Sequence, residues 1–229
     1  MSSPLADLTL RELLDRFAAP TPTPGGGSAA AMAGALGASL LAMVAGLPKT
    51  KTGGPEERAA LDAARAALLD AQRQLVDLID RDAAAYDAVT AAYRLPKNTD
   101  DEKTARKRAI QTAMEGAARA PLQTMRACKA AVDHATAIVS FGSPSAVTDA
   151  AVGINLIWNG AQGALLNIDA NLDGLDPAVR DEIVAEVKLL SESGKSSAKQ
   201  VFSTEFIALY RRVTDRFGLS HGRPPEPQA

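Results

Sequence analysis

The chain has 229 residues, 23% of them charged, with a formal net charge of -2. That balance excludes a polybasic nucleic-acid surface, and 4% aromatic residues leave little for stacking bases. A single cysteine, Cys128, excludes an internal disulfide framework, and with only His134 and His221 beside it no structural zinc set is available.

Alanine, the best intrinsic helix former, is the dominant bias, and valine and isoleucine never gather into alternating runs. The expected class is all-α. The opening, MSSPLADLTLRELLDRF, carries acids early and no basic stretch before an apolar one, so a secretory leader is not expected and the expected location is cytoplasmic. Thr9 with Glu12 forms a capping-box pattern for a short amphipathic helix to Ala19, with Leu10, Leu13, Leu14 and Phe17 on one face. Pro20, Pro22 and Pro24 then hold the chain extended.

The next stretch, TPTPGGGSAAAMAGALGASLLAMVAGL, runs from Thr21 to Leu47. A phosphate loop needs Lys-Ser/Thr after its glycines, and PGGGSAAA has no lysine. The uncharged run just reaches membrane-spanning length, yet alanine and glycine make it weakly apolar, so a buried helix at the centre of a bundle or dimer is expected. Ser28 is the expected N-cap and Pro48 the stop. Gly25, Gly26 and Gly27 bring backbone N–H groups to a helix N-terminus, which suits an anion or a polar carbonyl; a flexible turn is the alternative.

Pro55 opens a long helix reaching about Tyr93, and Leu95-Pro96-Lys97 breaks it. Thr99 or Asp100 starts the next helix, with a kink or junction expected at Pro121. After the Phe141–Pro144 turn, a helix from Ser145 or Thr148 runs to about Asn171, and Gly174 to Pro177 separates it from a last helix over Ala178–Arg216. The expected organisation is one domain over 1–216, a bundle of long, mostly antiparallel helices, with a disordered tail at 217–229.

Two helix faces carry polar residues where apolar ones are expected. The stripe Leu75, Ile79, Asp82, Tyr86, Val89, Tyr93 has one carboxylate, which burial would push towards the range useful for proton transfer; a structural ion pair is the alternative. Lys97 is a candidate partner or substrate ligand. The stripe Asp149, Gly153, Leu156, Gly160, Gly163, Asn167, Asn171 forms a shallow trough that either packs a helix closely or holds a flat ligand. Lys103, Arg106, Lys107 and Arg108 are either a solvated face or a counter-charge for ligand carboxylates. Cys128 sits on an apolar stripe as a buried structural thiol.

Thr23-Pro24-Gly25-Gly26-Gly27-Ser28-Ala29-Ala30 followed by AGALGASLLAMV resembles the opening of the folate-dependent cyclodeaminase/cyclohydrolase family. RDAAAYDAVTAAYRLPK, the Arg108 helix with Pro121-Leu122 and Cys128, Thr148-Asp149 and Asn167-Ile168-Asp169-Ala170-Asn171 follow in the same order, over roughly Leu8 to Phe206. The resemblance implies an all-helical homodimer binding a tetrahydrofolate derivative in a cleft near the dimer interface, with no metal and no cofactor beyond the folate, no nucleic acid and no membrane. For a reaction on that folate Asp82, singled out by its stripe, is the expected proton carrier, with Lys97 setting its charge state or orienting water, and substrate contacts are expected from Gly25, Gly26, Gly27, Ser28, Tyr86, Asp149, Asn167 and Asn171. Arg106 or Arg108 would meet the glutamate tail. Tyr86 stands where phenylalanine is commoner, adding a hydroxyl near Asp82. With no formiminotransferase segment ahead of Gly25, the expected activity is hydrolysis of 5,10-methenyltetrahydrofolate to 10-formyltetrahydrofolate. The alternatives are a formiminotetrahydrofolate cyclodeaminase and a non-catalytic helical interaction protein.

Overall fold

The structure, a computed structural model, describes the backbone of residues 3–201 and the side chains of residues 3–192. A short 3-10 turn, Leu5–Asp7, precedes six helices: α1 (Leu10–Ala18), α2 (Gly26–Gly46), α3 (Pro55–Tyr93), α4 (Asp100–Phe141), α5 (Val147–Leu172) and α6, described over Pro177–Val201. There is no strand among the described residues, so the class is all-α. The remainder of the expected last helix and the tail lie outside the described residues.

Local chemistry sets most helix ends. Thr9 and Thr99 each complete a capping box, with Glu12 and Glu102 respectively, and Pro55 occupies the first position of α3. Gly174 turns α5 into α6 at φ +84°, a conformation that side chains disfavour. One expectation narrows and one changes. Of the kink or junction expected at Pro121, the junction is excluded, because Pro121 lies inside one continuous helix. The N-cap of α2 is Gly25, not Ser28, because the Ser28 hydroxyl is engaged across the fold and is unavailable to its own first turn.

α2 is the centre of the bundle. It runs antiparallel to α3, as Arg58 bonding Leu47 O at one end and Ser28 bonding Ile79 O at the other show. The Arg58 guanidinium, which also reaches Ala45 O, puts a cation at the C-terminal end of the α2 dipole. α5 lies antiparallel along another side. A Cβ on Gly153 would sit 3.1 Å from Gly37 O, one on Gly160 2.8 Å from Ala30 O, and one on Gly163 2.9 Å from Ala30 Cβ. The glycine trough of α5 is therefore filled by α2 itself, and the flat-ligand reading of its middle is wrong. Helix–helix contact this close needs small residues on both partners, which is what the alanine and glycine content supplies.

Leu41, Leu61, Leu68, Leu75, Ile154 and Ile157 are fully buried in the main core. Cys128 joins them, its Sγ filling the space beside Gly34 and Gly160, and burial pushes its thiol up to about 12. A second apolar cluster, including Leu122, Ile168 and Ile183, pins α6 to α4 and α5. Arg119–Glu182, paired through both guanidinium arms at 3.1 Å, and Arg126–Glu186 flank that seam. By length and composition α2 could cross a membrane, with mean hydropathy 1.8 over its best window, yet 56% of that window is buried inside the bundle.

Candidate active site

α2 stops at Gly26 while α3 continues past it, so the α2 N-terminus opens onto a stretch of α3 that no longer has a partner helix on that face. Asp82 is the α3 residue at this transition. It sits on the same face as the buried Leu75 and Ile79 and is followed there by the exposed Tyr86 and Tyr93. The stripe thus changes from core to exposed surface at its one carboxylate.

Asp82 packs directly on the first turn of α2. A Cβ on Gly27 would lie 2.0 Å from Asp82 Oδ1 and 2.5 Å from its Cγ, so only glycine leaves room for the carboxyl. Asp82 Oδ2 is 3.2 Å from the Ser28 hydroxyl, which is itself 2.8 Å from Ile79 O. Burial pushes the Asp82 carboxyl above its ordinary range, outweighing the lowering effect of the Ser28 hydroxyl and N–H. On the other side, a Cβ on Gly26 would meet Asn167 Nδ2 at 3.4 Å. Asn167 Nδ2 donates to Gly163 O at 2.8 Å, and Asn171 Nδ2 to Asn167 O at 2.7 Å. Each bond fixes its amide with one N–H on α5 and leaves the amide oxygen, and a second N–H, for a ligand. The glycines, Asp82, Tyr86 and the two asparagines therefore meet at one end of the bundle. The N–H groups of Gly26 and Gly27 have no acceptor within the helix, and they add the positive end of its dipole.

Further along α3, Arg106 from α4 lies over the Tyr93 ring, 5.6 Å from its centroid, and donates to Tyr93 O at 3.1 Å. Tyr93 also reaches Met114 Sδ at 4.0 Å. Beside this stack is a cavity of about 310 Å³ lined by Lys97, Lys103, Arg106, Lys107, Ile110 and Gln111. It holds four cations and no carboxylate. Lys103 pairs with the exposed Asp100, and Gln111 ties the wall to the α5–α6 turn through Gly174 O. At 1.5 Å per residue, Tyr93 lies about 16 Å along α3 from Asp82. That span suits a ligand reacting at one end and carrying carboxylates at the other.

Lys97 and Asp149 are not brought to Asp82 in the chain, and of the two arginines considered for the glutamate tail Arg106 lines the basic cavity while Arg108 does not. Lys97 lines the basic cavity beyond the end of α3 and makes no hydrogen bond or ion pair with Asp82 among the described residues. Arg108 is exposed and, two residues from Arg106, points to another side of α4. Asp149 is in the first turn of α5, about 27 Å along the helix from Asn167. Ser28 is fully buried, so it meets Asp82 and not solvent. The sequence reading missed the seat that Gly27 provides and the stacking of Arg106 on Tyr93. The first depends on which helices meet, and periodicity along one helix does not carry that.

Comparison with known proteins places this arrangement. Residues 9–189 match the family profile described as formiminotransferase-cyclodeaminase. The chain is 39% identical over 188 residues to the methenyltetrahydrofolate cyclohydrolase of Methylorubrum extorquens, covering 81% of this chain and 90% of that protein. It is 30% identical over 205 residues to the rat formimidoyltransferase-cyclodeaminase, covering 87% of this chain and 37% of that longer protein. The fold matches the crystal structure of a formiminotetrahydrofolate cyclodeaminase from Thermotoga maritima with a TM-score of 0.76 and 25% identity, over 86% of this chain and 94% of the other. The small-residue helical bundle is therefore the formiminotransferase-cyclodeaminase family fold, and this chain belongs to that family.

Proposed function

We propose that this protein is a methenyltetrahydrofolate cyclohydrolase, converting the cationic 5,10-methenyl bridge and water to 10-formyltetrahydrofolate. The observation that carries the reading is the Asp82 carboxyl, seated on Gly27 where its helix face passes from core to exposed residues and pushed upward by burial. Similarity to the Methylorubrum extorquens cyclohydrolase along 90% of its length supports the choice of reaction.

The chemistry needs one group that takes and returns a proton. Asp82 accepts a proton as water adds to the bridge carbon, and returns it to N5 as the carbon–N5 bond breaks. The second water proton leaves as the hydroxyl of the adduct becomes the formyl carbonyl, so the substrate's positive charge departs as that proton. The asparagine oxygens of Asn167 and Asn171 accept from the pterin's amino edge, and Tyr86 flanks the ring. The glutamate end lies over Tyr93 with its carboxylates towards Arg106, Lys97, Lys103 and Lys107. No cofactor beyond the folate enters these steps. Exposed Leu36 and Met43 on α2, together with Leu166 on α5, support a homodimer. The setting we assign is cytoplasmic, without nucleic-acid or membrane partners.

Asp82→Asn tests the assignment. Turnover of the methenyl compound, after subtraction of its uncatalysed hydrolysis, falls by about 100-fold or more; a rate within a few-fold of the parent removes Asp82 from the reaction. The likeness to the Thermotoga maritima cyclodeaminase supports a second reading, closure of the same ring with loss of ammonia from the formimino compound. Turnover of both substrates by one preparation separates the two.

A further inference from the structure

The Ser28 hydroxyl is fully buried between two oxygens, Ile79 O at 2.8 Å and Asp82 Oδ2 at 3.2 Å. A serine hydroxyl carries one proton. It can donate to only one of these oxygens at a time. Ile79 O belongs to the α3 ladder, so its bond from Ser28 is additional to its helical one and is given up at little cost. When Asp82 is ionised, the hydroxyl proton turns to Oδ2. When Asp82 is protonated, the acid donates to Ser28 Oγ and the hydroxyl proton turns to Ile79 O. Both states of the carboxyl then keep a hydrogen bond without any heavy atom moving.

We propose that Ser28 is a positioning residue for the reaction: its hydroxyl rotates between Ile79 O and Asp82 Oδ2 as the carboxyl gains and loses its proton, and so holds Asp82 in one place through the cycle. This rests on the reading of Asp82 as the proton carrier. Gly27 completes the seat by leaving its Cβ position to the carboxyl. The surrounding charges leave the task to Ser28. α2 has no charged residue, and the charges of α5 are Asp149 at its far end and the exposed Asp169. On α3, Asp80 accepts from Leu5 N and Ala6 N, and Arg81 reaches Gln123. On α4, Arg119 is held by Glu115 and Glu182.

The test is the pH dependence of kcat and KM for methenyl hydrolysis in the parent, Ser28→Ala and Ser28→Cys, corrected for the uncatalysed rate. Ser28→Ala removes a donor to the ionised carboxyl, so the acidic limb of the kcat profile moves to higher pH by about one unit, with KM unchanged. Ser28→Cys, nearly isosteric and a weaker donor, moves it the same way by less, and it serves as the readout should the alanine variant fail to fold. An acidic limb that stays in place in a folded variant overturns the inference, as does a change confined to KM, which would make Ser28 a substrate ligand. An inactive Asp82→Asn enzyme beside an unmoved Ser28→Ala profile defeats this inference alone; an active Asp82→Asn enzyme defeats the underlying reading.

Discussion

Two carboxylates of α3, Glu57 and Asp82, are treated in opposite ways. Glu57, in its first turn, receives the Thr50 hydroxyl at 2.6 Å, Thr52 N–H at 2.9 Å, the Thr52 hydroxyl at 3.0 Å and Gly53 N–H at 3.2 Å. Those donors, the Thr50 hydroxyl first, hold its carboxyl down to about 2. Asp82, in the C-terminal third, has Ser28 alone against its burial, and burial wins. The contrast teaches what separates a structural carboxylate from one free to react. A donor-saturated acid is fixed in its charged form and organises a loop, whereas a donor-poor acid at the edge of the core keeps both protonation states within reach.

The sharpest way to break the contrast is to fill the Asp82 seat. In Gly27→Ala the new methyl would overlap the carboxyl, which as a flexible side chain swings away at little cost to the fold. Activity on the methenyl compound falls by about 100-fold, because a misplaced proton carrier loses that much, while the melting temperature changes little. Gly37→Ala is the companion with the opposite outcome. Its Cβ would lie 2.5 Å from Gly153 O and 2.8 Å from Ile157 N, backbone atoms that cannot rotate aside. The variant gains about 1 kcal/mol of helix propensity and loses about 1–3 kcal/mol or more to overpacking, so the clash wins. Thermal denaturation shows the loss as a lowered melting temperature, at about 2–4 °C per kcal/mol. A Gly27→Ala enzyme with normal turnover would mean that the seat does not matter.

These glycines show how much of the molecule was legible in its sequence. Helix ends set by neighbours in the chain were readable: the Thr9–Glu12 capping box, the start at Thr99 or Asp100 and Pro55 at the start of α3 are local signals. Asp82 was readable as the odd member of an apolar stripe, and the Gly25–Gly27 run as an unusual helix entry. Their meeting was not, because it depends on α2 and α3 running antiparallel with one particular register. Ser28 shows the same limit. As a residue before an alanine run it resembles an N-cap, yet its hydroxyl is claimed by Ile79 O, distant in sequence. The α5 glycines were readable as a groove, but the groove's occupant, α2, is a tertiary fact.

Glu57→Gln tests the other half of the contrast. Glutamine keeps the shape but turns an acceptor oxygen into a donor facing donors, so the loop over 50–53 loosens and the protein melts at a lower temperature at neutral pH. Because the folded carboxyl ionises at about 2 and an unfolded glutamate at 4.5, its contribution is complete above about 4.5 and is lost as pH falls towards about 2. The gap between parent and variant in thermal melts therefore narrows across that window. A gap of constant size down to pH 2 would show that the charge of Glu57 is not what stabilises the loop. Methenyl hydrolysis at neutral pH stays unchanged at temperatures where both proteins are folded.

The smallest expected effect is at the basic cavity, far from either carboxylate. Lys107→Glu places a negative charge among Lys97, Lys103 and Arg106, where the glutamate end of the folate is assigned. The site is open to water, so one charge reversed there is screened and raises KM by about two- to ten-fold, with kcat held, because proton transfer happens about 16 Å away along α3. Raising the salt concentration weakens the parent's binding and shrinks the difference between the two enzymes. A fall in kcat with KM unchanged would instead couple this cavity to the reacting end. It would overturn the division of labour along α3, in which one end handles the proton and the other holds the tail.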